Sequence, residues 1–279
     1  MRTVALLLTA DEFYCVGCAM PHTAGSLPLD AGASPGWRVC CANRALAIWH
    51  AVMDIGFGLL PGAMRSRNSA PFAMTEAEAD TVIERIGSVC SGSDEEIDEE
   101  FGGLRGHISE IRTALEMLLE RLRRAREHQV KGTHVARLPV PIKVCNLSID
   151  EVSCILDAKG YYAGPPFYVA TRRSFTPAEE LADDNVSLRL AALRRVPGKV
   201  PPSAGPPDEE SRFPFAMTEL ELAVLNEQLA AVIKEAADDE DELAIHMHAF
   251  RTPGRPADGR SIVAHLAELL ERMKGEHAP

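Results

Sequence analysis

Cys15 and Cys18 stand as a Cys-x-x-Cys pair, His22 follows, and Cys40 and Cys41 come after Trp37. Two thiolates at a Cys-x-x-Cys turn can both face one ion, and zinc closes its tetrahedron with two further ligands. Cys40 or Cys41 would supply the third, and His22 or the remaining cysteine the fourth. The stretch between Pro21 and Gly36 is rich in Gly, Ala, Ser and Pro, and a metal clip would give it a shape. A zinc ion is therefore the expected cofactor, with Cys15, Cys18, Cys40, Cys41 and His22 as candidate ligands. Two features weaken the pattern. Asn43 stands where a second Cys-x-x-Cys would place its cysteine, and adjacent cysteines rarely share one ion. Two other outcomes stay open. Small buried thiols can simply pack in a core. A redox pair would need a helix starting at the first cysteine to lower its pKa, and Pro21, Gly25 and Pro28 oppose such a helix.

Carboxylates form the other concentrated chemistry. Asp94, Glu95, Glu96, Asp98, Glu99 and Glu100 lie in one run, and Asp238, Asp239, Glu240, Asp241 and Glu242 in another. Neither has the Asp-x-Asp-x-Asp-Gly order of a calcium loop. They read as helix starts or solvated helix faces, where negative charge is favourable, and as candidate surfaces for a basic partner. His246 and His248 do not share one helical face, so a metal site there would need strand or loop geometry. The chain has no phosphate loop, no nucleophile elbow, no His-Glu-x-x-His and no dinucleotide fingerprint. The basic group Arg121, Arg123, Arg124 and Arg126 reads as cations at the C-terminal end of a helix.

The elements that position these groups are organised by a repeat. Pro-Phe-Ala-Met-Thr-Glu occurs at Pro71–Glu76 and again at Pro214–Glu219. Each copy opens a helix with a capping box, Thr75 with Glu78 and Thr218 with Glu221. Apolar residues then recur at helical steps: Ala79, Val82, Ile83 and Ile86, and Leu222, Leu225, Leu229, Val232 and Ile233. An acidic run follows, and a second amphipathic helix closes each unit. Its stripe is Ile108, Ile111, Leu115, Leu118, Leu119 and Leu122 in the first copy, and Ile262, Leu266, Leu269, Leu270 and Met273 in the second. The second copy is longer by about eight residues, assigned to the Pro/Gly-rich 251–260 stretch. Ser148 with Glu151, and Thr176 with Glu179 behind Pro177, start two more helices. Gly160 is placed to end the first of them. Residues 3–9, 134–146 and 167–171 read as strands. Residues 197–214 read as a proline-rich linker.

Composition sets the class. The net charge is −12, which argues against direct nucleic-acid binding. No apolar run reaches the length of a membrane span, and residues 4–8 are too short for a signal peptide. Seven cysteines without a signal peptide point to a reducing, cytoplasmic setting. The expected fold is mainly α, of the α+β class and internally duplicated. Each half holds a helical unit and a small strand-containing segment, with halves at 1–130 and 131–279. The expected function is a non-enzymatic interaction or regulatory protein with acidic helical faces. Its partner would be a basic protein, one that handles nucleic acid being an example, and self-association is a further option. The alternatives are an enzyme using the Cys15/Cys18/Cys40/Cys41 region, and a structural subunit of a larger assembly.

Overall fold

Every strand described runs directly into a helix through a capping box. The computed structural model describes residues 3–20, 41, 44–49, 69–101, 107–130, 142–163, 173–194, 212–238 and 259–275. Strand β1 (Thr3–Thr9) leads into α1 (Ala10–Cys18), and β2 (Ser69–Thr75) into α2 (Glu76–Cys90). Helices α3 (Asp94–Phe101) and α4 (Ile108–Val130) follow. Strand β3 (Ile142–Leu147) leads into α5 (Ile149–Ala163), and α6 (Pro177–Arg194) comes next. Strand β4 (Phe213–Thr218) leads into α7 (Glu219–Asp238), and α8 is Gly259–Gly275. Residues 44–49 are also helical. The chain is thus mainly helical with two small two-stranded antiparallel sheets, as its periodicities imply.

The capping boxes have one geometry. The Thr9 N–H donates to Glu12 Oε2 at 2.8 Å, and the Glu12 N–H donates to Thr9 Oγ1 at 3.3 Å. Thr75 with Glu78 repeats this at 2.8 and 3.2 Å, Ser148 with Glu151 at 2.8 and 3.2 Å, and Thr218 with Glu221 at 2.7 and 3.2 Å. Each cap stabilises its helix start by about 0.5–2 kcal/mol. Thr176 with Glu179 forms the same box, and so does Ser93 with Glu96.

The repeated hexapeptide is more than a helix entry. Its Pro-Phe-Ala-Met-Thr portion is β-strand in both copies. Strand β2 pairs antiparallel with β1, with Ala5 opposite Ala73, Leu6 opposite Phe72 and Thr3 opposite Thr75. Strand β4 is hydrogen-bonded to β3. Buried residues run continuously from Ala70 to Met74 and from Phe213 to Met217. Strands covered on both faces lose the polar alternation that betrays a half-buried strand. Phe213 and Pro214 therefore belong to a strand and not to the linker.

Two further expectations need correcting. Cys15 and Cys18 do not sit on a turn: both lie within α1. Gly160 does not end α5, which continues to Ala163. The strand read over 134–146 is described from Ile142 onward, and residues 167–171 lie outside the described residues.

The chain divides into two compact units. One comprises Met1–Asn146 with Arg195–Ala216, the other Leu147–Arg194 with Met217–Pro279. In the first, α2 packs on α4 and α4 on β1. The buried faces are Ala79, Val82, Ile86 and Val89 on α2, and Ile111, Leu115, Leu118, Leu119 and Leu122 on α4. Arg126 near the end of α4 donates to Asp80 at 2.8 Å and Glu76 at 2.9 Å in the first turns of α2. In the second unit, α5 packs on α6, α7 and α8, and α7 on α6 and α8. Val152, Ile155, Leu190, Leu225, Leu229, Leu266 and Met273 fill its interior.

Candidate functional site

Helix α1 is nine residues long and carries Cys15 and Cys18 three apart, on one side of its last turns. Cys15 is buried and Cys18 half-buried. Burial pushes the Cys15 thiol well above its ordinary value, and the neighbouring Cys18, Asp11 and Glu12 add to the rise. Burial also raises Cys18, while a hydrogen bond with Tyr14 works the other way. The thiols stand at the carbonyl end of the helix, which opposes a thiolate. The redox arrangement, with a helix starting at the first cysteine, is thereby replaced by its opposite. Local packing is tight. A Cβ at Gly17 would lie 2.5 Å from Leu46 Cδ2, so glycine permits the helical segment 44–49 to come close. Tyr14 and Trp49 ring centroids are 4.9 Å apart beside it.

Cys41 is also buried, whereas Cys40 and His22 lie outside the described residues. Among the described residues, no group of three or more His, Cys, Asp or Glu side chains is placed to hold a metal ion. A zinc ion on Cys15 and Cys18 would have to displace both protons against the burial that retains them.

The ionisable groups that the fold does bring together are arginines and the capping-box glutamates. Arg44 is almost wholly buried and grips Glu78 with two hydrogen bonds, Nη1 to Oε1 at 3.0 Å and Nη2 to Oε2 at 2.9 Å. Its Nη2 also donates to the Ala73 carbonyl at 3.2 Å. Its guanidinium lies 5.7 Å from the Phe72 ring centroid and 5.6 Å from that of Phe213. Arg189 pairs with Glu221 at 2.7 Å, with side-chain exposures of 1% and 4%. Burial lowers the Arg189 pKa, and Glu221 opposes that effect. Arg121 holds Glu12 and the Leu7 carbonyl. Arg272 holds the buried Glu151 at 2.8 Å. Each glutamate thus closes a helix start and receives an arginine from another helix. Charge-assisted contacts of this kind, bidentate at Arg44, fix geometry as well as charge.

One more buried cation stands in the second unit. Lys159 Nζ contacts Asp183 and donates to Gln228 Oε1 at 2.7 Å, joining α5, α6 and α7. Burial lowers its pKa, and Asp183 offsets part of that. Asp184 beside it is raised, chiefly by burial. Sequence reading singled out none of Arg44, Arg189 or Lys159. Nothing local marks them, because their partners come from other helices. One further signal is local: Thr9-x-Asp11-Glu12-x-x-Cys15 has the pattern of Ser148-x-Asp150-Glu151-x-x-Cys154, with serine in place of threonine at the cap.

The first acidic run forms α3. Ile97 and Phe101 are buried, while Asp94, Glu95, Glu96, Asp98 and Glu99 are exposed. Asp94 pairs with Arg112 at 2.8 Å, Glu100 with Arg85, and Glu96 closes the Ser93 cap. Of the second run, Asp238 ends α7, and Asp239, Glu240, Asp241 and Glu242 lie outside the described residues, as do His246 and His248. Among the described residues no helix is long and apolar enough to cross a membrane. No family model, curated protein or solved structure matches the chain.

Proposed function

We propose that this is a non-enzymatic interaction protein that presents acidic helical faces to a basic protein partner. The observation that carries the reading is the division of labour among its charges. Buried Arg44, Arg189, Glu151, Glu221 and Lys159 are each held by another part of the same chain. Helix α3 does the reverse: it docks through Ile97 and Phe101 and turns Glu95, Asp98 and Glu99 outward. Exposed carboxylates on a folded helix can steer a cationic partner without rearranging the core. The Cys15 and Cys18 thiols add to this reading, because burial raises both above the ordinary thiol range and so disfavours the nucleophilic thiolate.

The test is binding of a fluorescent Lys/Arg-rich peptide to the purified chain, followed by anisotropy across a salt series. The triple variant Glu95→Lys, Asp98→Lys, Glu99→Lys should bind at least about tenfold more weakly while still melting in a single cooperative transition. Affinity of the parent should fall as salt rises. Equal binding by parent and triple variant would sink the assignment of α3, and so would turnover of a substrate at the cysteine region.

A further inference from the structure

The strand pairs β1–β2 and β3–β4 meet at one small cluster. Ala5, Ala73 and Ala216 are buried together, with Ile142 and Val144 packed against them. The sequence pairs these residues independently. Matching Thr9–Cys15 to Ser148–Cys154 makes Ala5 the counterpart of Val144, and matching the hexapeptides makes Ala73 the counterpart of Ala216. The cluster therefore contains both members of two matched pairs. That is the property of a twofold contact, in which the same patch meets its own copy. Two unrelated strand pairs have no reason to put matched residues in one cluster.

The arginine clamps carry the same correspondence at other positions. Arg121 and Arg272 occupy the same place in Leu115–Leu122 and Leu266–Met273, and they hold the matched glutamates Glu12 and Glu151. Arg44 and Arg189 hold the matched glutamates Glu78 and Glu221. Convergence on good helix caps explains the Thr and Glu of each box. It does not explain why each of these matched glutamates is also gripped by an arginine.

We infer that the strand junction is an internalised self-association surface: each strand pair is built to seat a second copy of itself, and this chain supplies that copy in cis. The occupant of the surface on β1–β2 is β3–β4. A further chain is then not needed to cover it, and alanine at the contact lets the backbones approach closely.

The experiment is a double-mutant cycle on the full chain, read as thermal midpoints and as mass in solution. Ala73→Leu and Ala216→Leu should each lower Tm by several degrees, to a similar extent, because both overfill the same space. Their combined effect should depart from the sum of the two, as residues in contact do. If the leucine variants fail to fold, Ala73→Gly and Ala216→Gly provide the same cycle with a smaller perturbation. Additive effects, or an effect at only one of the two positions, would overturn the inference. The chain should run at its monomer mass of 30.3 kDa, or in an assembly indifferent to these substitutions. A dimer that dissociates on Ala73→Gly or Ala216→Gly would also overturn it, since the surface would then be seeking its copy in trans.

Discussion

The two strand-to-helix segments that open on Thr9 and on Ser148 share a cap, an Asp-Glu pair and a cysteine, then part company. In the first, α1 stops at Cys18, and Met20 beyond it is buried. In the second, α5 runs on to Ala163 and carries Lys159 into a junction with Asp183 and Gln228. What is held in common is the joint: strand end, capping hydroxyl, returning glutamate and the arginine that grips it. What differs is the filling beside the joint, thiols in one place and a buried ammonium in the other. The joint is a device for turning a buried strand into a helix without orphaned N–H groups, and such a device can be reused beside any chemistry.

The comparison is broken most sharply at the arginines. Arg189→Met leaves Glu221 charged in a site it cannot leave, and should cost about 3–5 kcal/mol in chemical denaturation. Arg44→Met should follow closely, since Glu78 is somewhat more open to water. Arg121→Met should cost only about 0–1 kcal/mol, because its side chain is 41% exposed. Adding Glu221→Gln to Arg189→Met should restore part of the loss, as glutamine at that position still closes the capping box. Equal losses at Arg189 and Arg121 would show that burial does not govern these pairs.

Lys159 comes next. Lys159→Met removes the donor to Gln228 Oε1, and Gln228 is buried, so about 1–3 kcal/mol should be lost. Lys159→Met with Gln228→Leu should recover most of it. The lysine's folded-state pKa lies below its ordinary value of 10.5, chiefly through burial. The folded state thus disfavours the charged form. The corresponding stability is fully present above 10.5 and is lost as pH falls through the lowered folded value. Parent minus Lys159→Met, measured by denaturation across the alkaline range, should therefore rise with pH. A flat or falling difference would mean that Asp183 outweighs burial.

The caps should give smaller and matched effects. Thr75→Ala and Thr218→Ala remove the same hydrogen bond from the same hexapeptide. Each should cost about 1 kcal/mol. Losses differing by more than twofold would show that identical sequence does not mean an identical role.

How far the sequence could be read depends on how local each feature is. The caps at Thr75, Ser148, Thr176 and Thr218 were legible because a capping box involves residues three apart. Thr9 with Glu12 has the same spacing and is as legible, although residues 3–9 by themselves read only as a strand. The strand half of the hexapeptide was hidden, since Pro71 to Met74 are buried on both faces and pair with residues far away in the chain. The arginine clamps were hidden for the same reason: Arg44 and Glu78 are 34 residues apart in the chain. Gly160 misled because packing of α5 on its neighbours outweighs a glycine's local cost.

The remaining contrast concerns the thiols, and its test leaves stability nearly untouched. Cys15 is buried and Cys18 half-buried on the same helix end, and burial raises both. Alkylation of the native protein near pH 8 should therefore be slow at both, with Cys18 modified before Cys15, and fast at both in denaturant. Peptide mass mapping over time reads the order directly. If Cys15 reacts first, the helix end is not closed as described. A chelator added beforehand separates the two accounts of the cluster. Zinc on Cys15, Cys18 and Cys41, completed by Cys40 or His22, would shield the thiols until the chelator removed it. Labelling rates indifferent to chelator would leave packing as the role of these cysteines, and the first joint would then differ from the second only in what fills its core.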